Sequence, residues 1–192
     1  MSETKTEKTR SRAIPRLALA ALFAALAAAG AFISIPLGPV PIVLQNMFAL
    51  LAGLVLGPVL GAASMALFVS AGAIGAPVFS GGSGGIGVLL GPTGGYLVGY
   101  ILCAFVSGLI AGAPKPGEKT RRLRIAIAAA AGMLAVYPTG LLWLARVLEL
   151  EGAGRALAIG FLPYAPGDAI KATLAALAAG RLRRAASAAL SR

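Results

Sequence analysis

Apolar residues come in long blocks along this chain, and polar ones are confined to the joints between them. Reading the apolar runs between breakers predicts six helical segments: 15–35, 42–56, 59–75, 93–112, 124–148 and 167–185. Pro36 ends the first, "LGP" separates the second from the third, and "GAIGAP" ends the third. A helix needs about 20 apolar residues to cross a bilayer. The second and third runs are shorter than that, which implies little tilt or shielding by neighbouring protein. The connections "IPLGPVPIVLQN" (35–46), "APVFSGGSGGIGVLLGPTGGY" (76–96) and "GAGRALAIGFLPYAPGD" (152–168) are rich in Gly and Pro yet stay apolar. Loops in plain water are more polar, so these read as a lid or pocket packed on the bundle.

Composition turns this pattern into a fold class. Of the 192 residues, 58% are hydrophobic and only 12% charged, with a mean hydropathy of +0.88. Soluble domains carry about a quarter charged residues. The expectation is an all-α integral membrane protein with six transmembrane helices. A single membrane domain, 15–185, lies between a basic tail, 1–14, and a short tail, 186–192.

The net charge of +11 raises the question of nucleic acid, and its distribution answers it. Most of the Lys and Arg fall into three blocks: Lys5, Lys8, Arg10, Arg12 and Arg16; Lys115, Lys119, Arg121, Arg122 and Arg124; and Arg181, Arg183, Arg184 and Arg192. Blocks flanking apolar spans mark the cytoplasmic side, whereas nucleic-acid binders set basic residues among aromatics on a folded face. With six spans, all three blocks fall on one side, so both termini are expected to be cytoplasmic. Glu149, Glu151 and Arg155 fall outside, with the three Gly-rich connections. The N-terminus partly resembles a signal peptide, but its apolar run is longer and further spans follow, so it is expected to remain.

Catalytic chemistry has little to work with. Histidine is absent and Cys103 is alone, which removes metal clusters, disulfides and Ser–His or Cys–His pairs. There is no Walker A sequence. A formal GxGxxG at Gly82, Gly84 and Gly87 lacks the preceding strand and following acid of a dinucleotide site. Neither a catalytic residue, a metal nor a cofactor is expected.

One charge pair stands out. Asp168 and Lys171 lie three apart in the first turn of the last helix, after Pro166 and Gly167. They read either as a capping aspartate with a lysine snorkelling to headgroups, or as a functional site. An ionisable residue at the centre of a span costs about 2.5–3.5 kcal/mol on insertion scales. Gln45, Asn46 and Tyr96, beside the outer loops, read equally as caps or pocket linings. Gly53, Gly57 and Gly61, then Gly91, Gly95 and Gly99, form small-residue faces for close helix packing. Ala20, Ala24 and Ala28 form a similar stripe, for internal packing or for docking another membrane protein.

Together "IPLGPVPIVLQNMFALLAGLVLGP", "GAIGAPVFSGGSGGIGVLLGPTGGY" and "GFLPYAPGDAIKATLAA" resemble the BioY family over roughly residues 15–185. These are the substrate-binding (S) components of energy-coupling-factor (ECF) biotin transporters. The resemblance implies the S-component fold and high-affinity biotin uptake through a multi-pass protein of the cell membrane. The partners it implies are a transmembrane coupling protein and ATPase subunits. It points to Asp168 and Lys171, then Gln45, Ser83 and Tyr96, as biotin contacts, and to Ala20, Ala24 and Ala28 as the docking stripe. Ala21, Ala25 and Ala29 repeat that pattern one residue along. The alternatives are an S component for another small carboxylated vitamin and a non-transporting structural membrane protein.

Overall fold

The computed structural model describes residues 3–36, 38–115, 117 and 120–190, with side chains from residue 13 onward. The side chains of Lys5, Lys8, Arg10 and Arg12, together with Lys119 and Arg192, lie outside that description. Helices dominate: α1 (Glu3–Ala31), α2 (Gln45–Leu56), α3 (Pro58–Ala73), α4 (Ile86–Leu90), α5 (Gly94–Ala111), α6 (Arg122–Leu134), α7 (Val136–Val147), α8 (Ala153–Gly160) and α9 (Ala165–Leu190). A hairpin of two short antiparallel strands, β1 (Ser34–Ile35) and β2 (Ile42–Val43), links α1 to α2. The expected apolar runs each hold a helix. α1 begins at Glu3, so the basic N-terminal segment is continuous with the first span.

Among the described residues, three segments are long and apolar enough to cross a membrane on their own: Ala13–Ala31, Gly94–Ala111 and Arg122–Val147. α2 and α3, with 12 and 16 residues, are shorter, as the sequence implied. α5 is the hub, packed against α2, α3, α6 and α7. Backbones approach closely where glycine allows it. A Cβ on Gly53 would lie 2.2 Å from the Ala104 carbonyl oxygen, and one on Gly61 2.8 Å from the Cα of Gly53. Gly95 and Gly99 seat α5 against α7 in the same way.

The fifth run departs from the sequence reading. The expected single helix over 124–148 is broken into α6 and α7 at Ala135. Pro138 is the physical cause: it has no N–H for the Leu134 carbonyl, and its ring crowds that turn. The Gly-rich connections also carry structure that the apolar pattern did not show, namely the hairpin, α4 and α8.

On α1, Ala20 and Ala24 are buried in the chain's own core and Ala28 is half-buried. Ser64 of α3 donates to the Ala20 carbonyl at 2.7 Å. The face open to the surroundings is one residue along, at Ala21, Ala25 and Ala29. Ala20 and Ala24 therefore take part in the chain's own packing, with α1 tied to α3 through the Ala20 carbonyl.

The C-terminal basic block is only partly a charged surface. Arg183 is buried, and its guanidinium donates to the carbonyls of Leu54, Ala111 (3.3 Å) and Gly112 (3.0 Å) and to the Thr120 hydroxyl (3.2 Å). It thus gathers the C-terminal ends of α2 and α5, where a cation is favoured by the exposed carbonyls and the helix dipole.

Candidate functional site

At the opposite end of α9, the chain turns into the helix through Tyr164 and Pro166. Asp168 falls in the first turn, and its N–H closes on the Tyr164 carbonyl at 2.9 Å. Both Asp168 and Lys171 are buried, and Lys171 Nζ lies 2.6 Å from Asp168 Oδ1. A lysine reaching out to headgroups would be exposed; this one points into protein.

Lys171 Nζ also donates to Asn46 Oδ1 at 2.9 Å and to the Val43 carbonyl of β2 at 3.0 Å. An ammonium has three donors, and three acceptors now hold them. Asn46, at the start of α2, turns its amide nitrogen to Asp168 Oδ1 at 2.8 Å. Tyr137, from α7 just past the break, donates its hydroxyl to Asp168 Oδ2. Every buried side-chain nitrogen and oxygen among the described residues has a hydrogen-bond partner.

Acceptor capacity remains. A carboxylate offers about four lone-pair positions and an amide oxygen two. Asp168 uses three, leaving one on Oδ2; Asn46 Oδ1 uses one of its two. The cation is fully committed, and the groups with room are acceptors.

Beside this network lies a cavity of about 230 Å³. Its wall includes Val40, Val43, Gln45, Phe79, Tyr96 and Tyr100, with Ser80, Ser83 and Thr93 as hydroxyls. No charged side chain is in the described lining. Of the residues expected at a site, Gln45, Ser83 and Tyr96 line this cavity. Asp168 and Lys171 are not in its lining; Lys171 is joined to it through Val43, to whose carbonyl it donates.

The polar atoms of the three lining residues are largely turned to the protein. Gln45 Nε2 donates to the Val78 carbonyl at 3.1 Å, Ser83 Oγ to the Ser80 carbonyl at 2.8 Å, and Tyr96 Oη to the Gly160 carbonyl at 2.9 Å. Tyr96 therefore offers the cavity its ring. That ring fits because Gly140 has no side chain: a Cβ there would meet it at 2.5 Å.

Two further ties close the loops over the cavity. Tyr164 donates its hydroxyl to the Val40 carbonyl, pinning the hairpin; burial raises the pKa of this phenol and keeps it a neutral donor. Ser34 and Ser80 hydroxyls meet at 2.7 Å, joining the hairpin to the Gly-rich connection.

Sequence reasoning missed Tyr137 and did not carry Asn46 into the site. Asn46 had a signal, a polar residue opening an apolar helix. Tyr137 had a fainter one, in the "VYPTG" interruption of a long apolar run. Among the described residues no group of three His, Cys, Asp or Glu side chains is placed to hold a metal.

A loop-capped cavity in an apolar helical bundle, with a buried ion-pair network joined to its lining, defines a membrane-embedded small-molecule binding component. The S-component for biotin from an ECF-type ABC transporter, solved by crystallography, has the same fold. The two match with a TM-score of 0.77 and 31% identity over 93% of each chain. A family model described as BioY family matches residues 3–188. The chain is 44% identical to the probable biotin transporter BioY of Pyrococcus horikoshii, over 87% of this chain and 95% of that one. It is 43% identical to the biotin transporter BioY of Thermotoga maritima, over 88% and 96%. The chain belongs to the BioY family, a family of transporter components and not of enzymes.

Proposed function

We propose that this chain captures biotin at the Gly-rich loop end and delivers it inward as the S component of an ECF transporter. It does so as a multi-pass protein of the cell membrane, with the basic blocks and both termini cytoplasmic. A transmembrane coupling protein and ATPase subunits supply the energy, since the chain has no ATPase motif of its own. The coupling protein docks on α1, where the exposed face is Ala21, Ala25 and Ala29.

The observation that carries this reading is the imbalance of the buried network: spare acceptors on Asp168 and Asn46 beside an apolar cavity. Biotin brings two ureido N–H donors, an apolar thioether ring and a carboxylate tail. The acceptors suit the ureido group and the cavity wall suits the ring. Lys171 then serves mainly to pair with Asp168 and orient it, its own donors being taken. Lys171 ties this network to the cavity lining through the Val43 carbonyl.

Titration of the purified protein with biotin tests this. Tight binding that Asp168→Asn weakens by about tenfold or more, the scale of a hydrogen bond to a charged group, is expected. Wild-type affinity in that variant overturns the site. Absence of biotin binding together with binding of thiamine or riboflavin overturns the choice of ligand.

A further inference from the structure

We infer that Tyr137 is a positioning residue for ligand recognition, acting through the Asp168 carboxylate. This rests on the reading of Asp168 as a ligand acceptor.

Asp168 Oδ1 is held twice, by Lys171 and Asn46. Oδ2 is held by one protein donor, Tyr137. The carboxylate would otherwise be free to pivot about its Oδ1 anchors. With Tyr137 on Oδ2 the plane is fixed, and the one vacant lone pair points in a single direction. A ligand N–H must come to that direction, which makes the site selective for a rigid donor and not merely for a polar group.

Tyr137 is itself held firmly. It sits in the first turn of α7, just past the interruption at Ala135, and its phenol reaches Asp168 of α9. The ring packs edge-on against Phe161, with centroids 4.6 Å apart, and against Tyr96 at 6.4 Å. Tyr96 lines the cavity. One phenol therefore touches the cavity's aromatic wall with its ring and the buried carboxylate with its hydroxyl. A ligand pressing on Tyr96 bears on the group that orients Asp168.

The test compares Tyr137→Phe, Asp168→Asn and the double variant in the full chain, titrated with biotin and with biotin N-methylated on its ureido ring. Tyr137→Phe keeps the ring and its packing and removes only the hydroxyl. The inference expects about tenfold weaker biotin binding in Tyr137→Phe, and a correspondingly smaller preference for biotin over the N-methyl compound. It expects the double variant to bind no more weakly than Asp168→Asn alone, because the tyrosine acts through that carboxylate. If Tyr137→Phe fails to accumulate, Tyr137→Met supplies a donorless, adaptable side chain for the same comparison. Unchanged biotin affinity in Tyr137→Phe, with Asp168→Asn weakened, overturns the inference and leaves the Asp168 reading standing. Additive losses, or equal losses for both ligands, reduce Tyr137 to a structural role and overturn it too. Unchanged affinity in Asp168→Asn overturns the reading on which it rests.

Discussion

Asn46 holds the Asp168 carboxylate at 2.8 Å from 122 positions away in the chain. That bond fastens the first residues of α2 to the first turn of α9, and Lys171 doubles it by donating to the same Asn46 side chain. Replacing Asn46 with Leu keeps the branching at Cγ and removes both bonds, leaving a buried ion pair short of partners. A loss of about 1–3 kcal/mol per unsatisfied group is expected. It should appear as a lower Tm of the detergent-purified protein and as weaker biotin binding by titration.

Lys171→Met should be more severe than Asp168→Asn. The methionine removes the charge that balances a buried carboxylate, and breaking a buried pair from one side costs about 3–5 kcal/mol. The asparagine stays polar and can still accept from Lys171. The check is thermal unfolding without ligand: the methionine variant should unfold at the lower temperature.

The Tyr164 hydroxyl pins the hairpin through the Val40 carbonyl. Tyr164→Phe removes one hydrogen bond, worth about 0.5–1.5 kcal/mol net, from a lid that the rest of the chain leaves intact. Biotin dissociation should therefore speed up by about 2–10-fold. Hydrogen exchange should rise over residues 34–43 and stay level over α5.

Ala24 and Ala25 are adjacent in sequence and opposite in fate. Ala24 is buried and Ala25 exposed. Ala24→Trp should lower thermal stability and disturb biotin binding, by forcing an indole into the packed core. Ala25→Trp should spare both and abolish co-purification with the coupling protein. Retained co-purification would move the docking face elsewhere.

The contrast between those two alanines shows where reading the sequence stopped. "LGP" marked the joint of α2 and α3, because backbone chemistry ends helices locally, whereas Pro36 overshot: α1 stops at Ala31 and 34–35 is β1. Asp168 and Lys171 were legible because charge in an apolar segment is costly and so calls for a reason. The facing of α1 was not, since a helix made largely of alanine offers the same pattern in neighbouring registers. Tyr137 was not, because its role depends on a carboxylate 31 positions later that only the fold brings to it. Nor did the sequence reveal that Lys171 has no donor to spare, since Val43 and Asn46 reach it only when α9 docks.

Arg183 makes a prediction at the far end of the same helix. Arg183→Met removes the donors that gather the ends of α2 and α5, and stability should fall by several kcal/mol. Asp168 is about 22 Å away along α9, at 1.5 Å per residue. Biotin affinity of the fraction that remains folded should therefore change little. A large loss of affinity at unchanged Tm would contradict this separation.

The spacing of Asp168 and Lys171 also bears on how the chain is made. The partners of this pair lie in β2, α2 and α7, all synthesised and inserted before the last helix arrives. A lone charge entering lipid would have to wait uncompensated for those partners. Because Lys171 is three residues from Asp168 on the same helical face, α9 carries its own counter-ion across the threshold, and the two charges neutralise each other before any tertiary contact exists. The translocation machinery thus meets the start of α9 with its two charges already balanced.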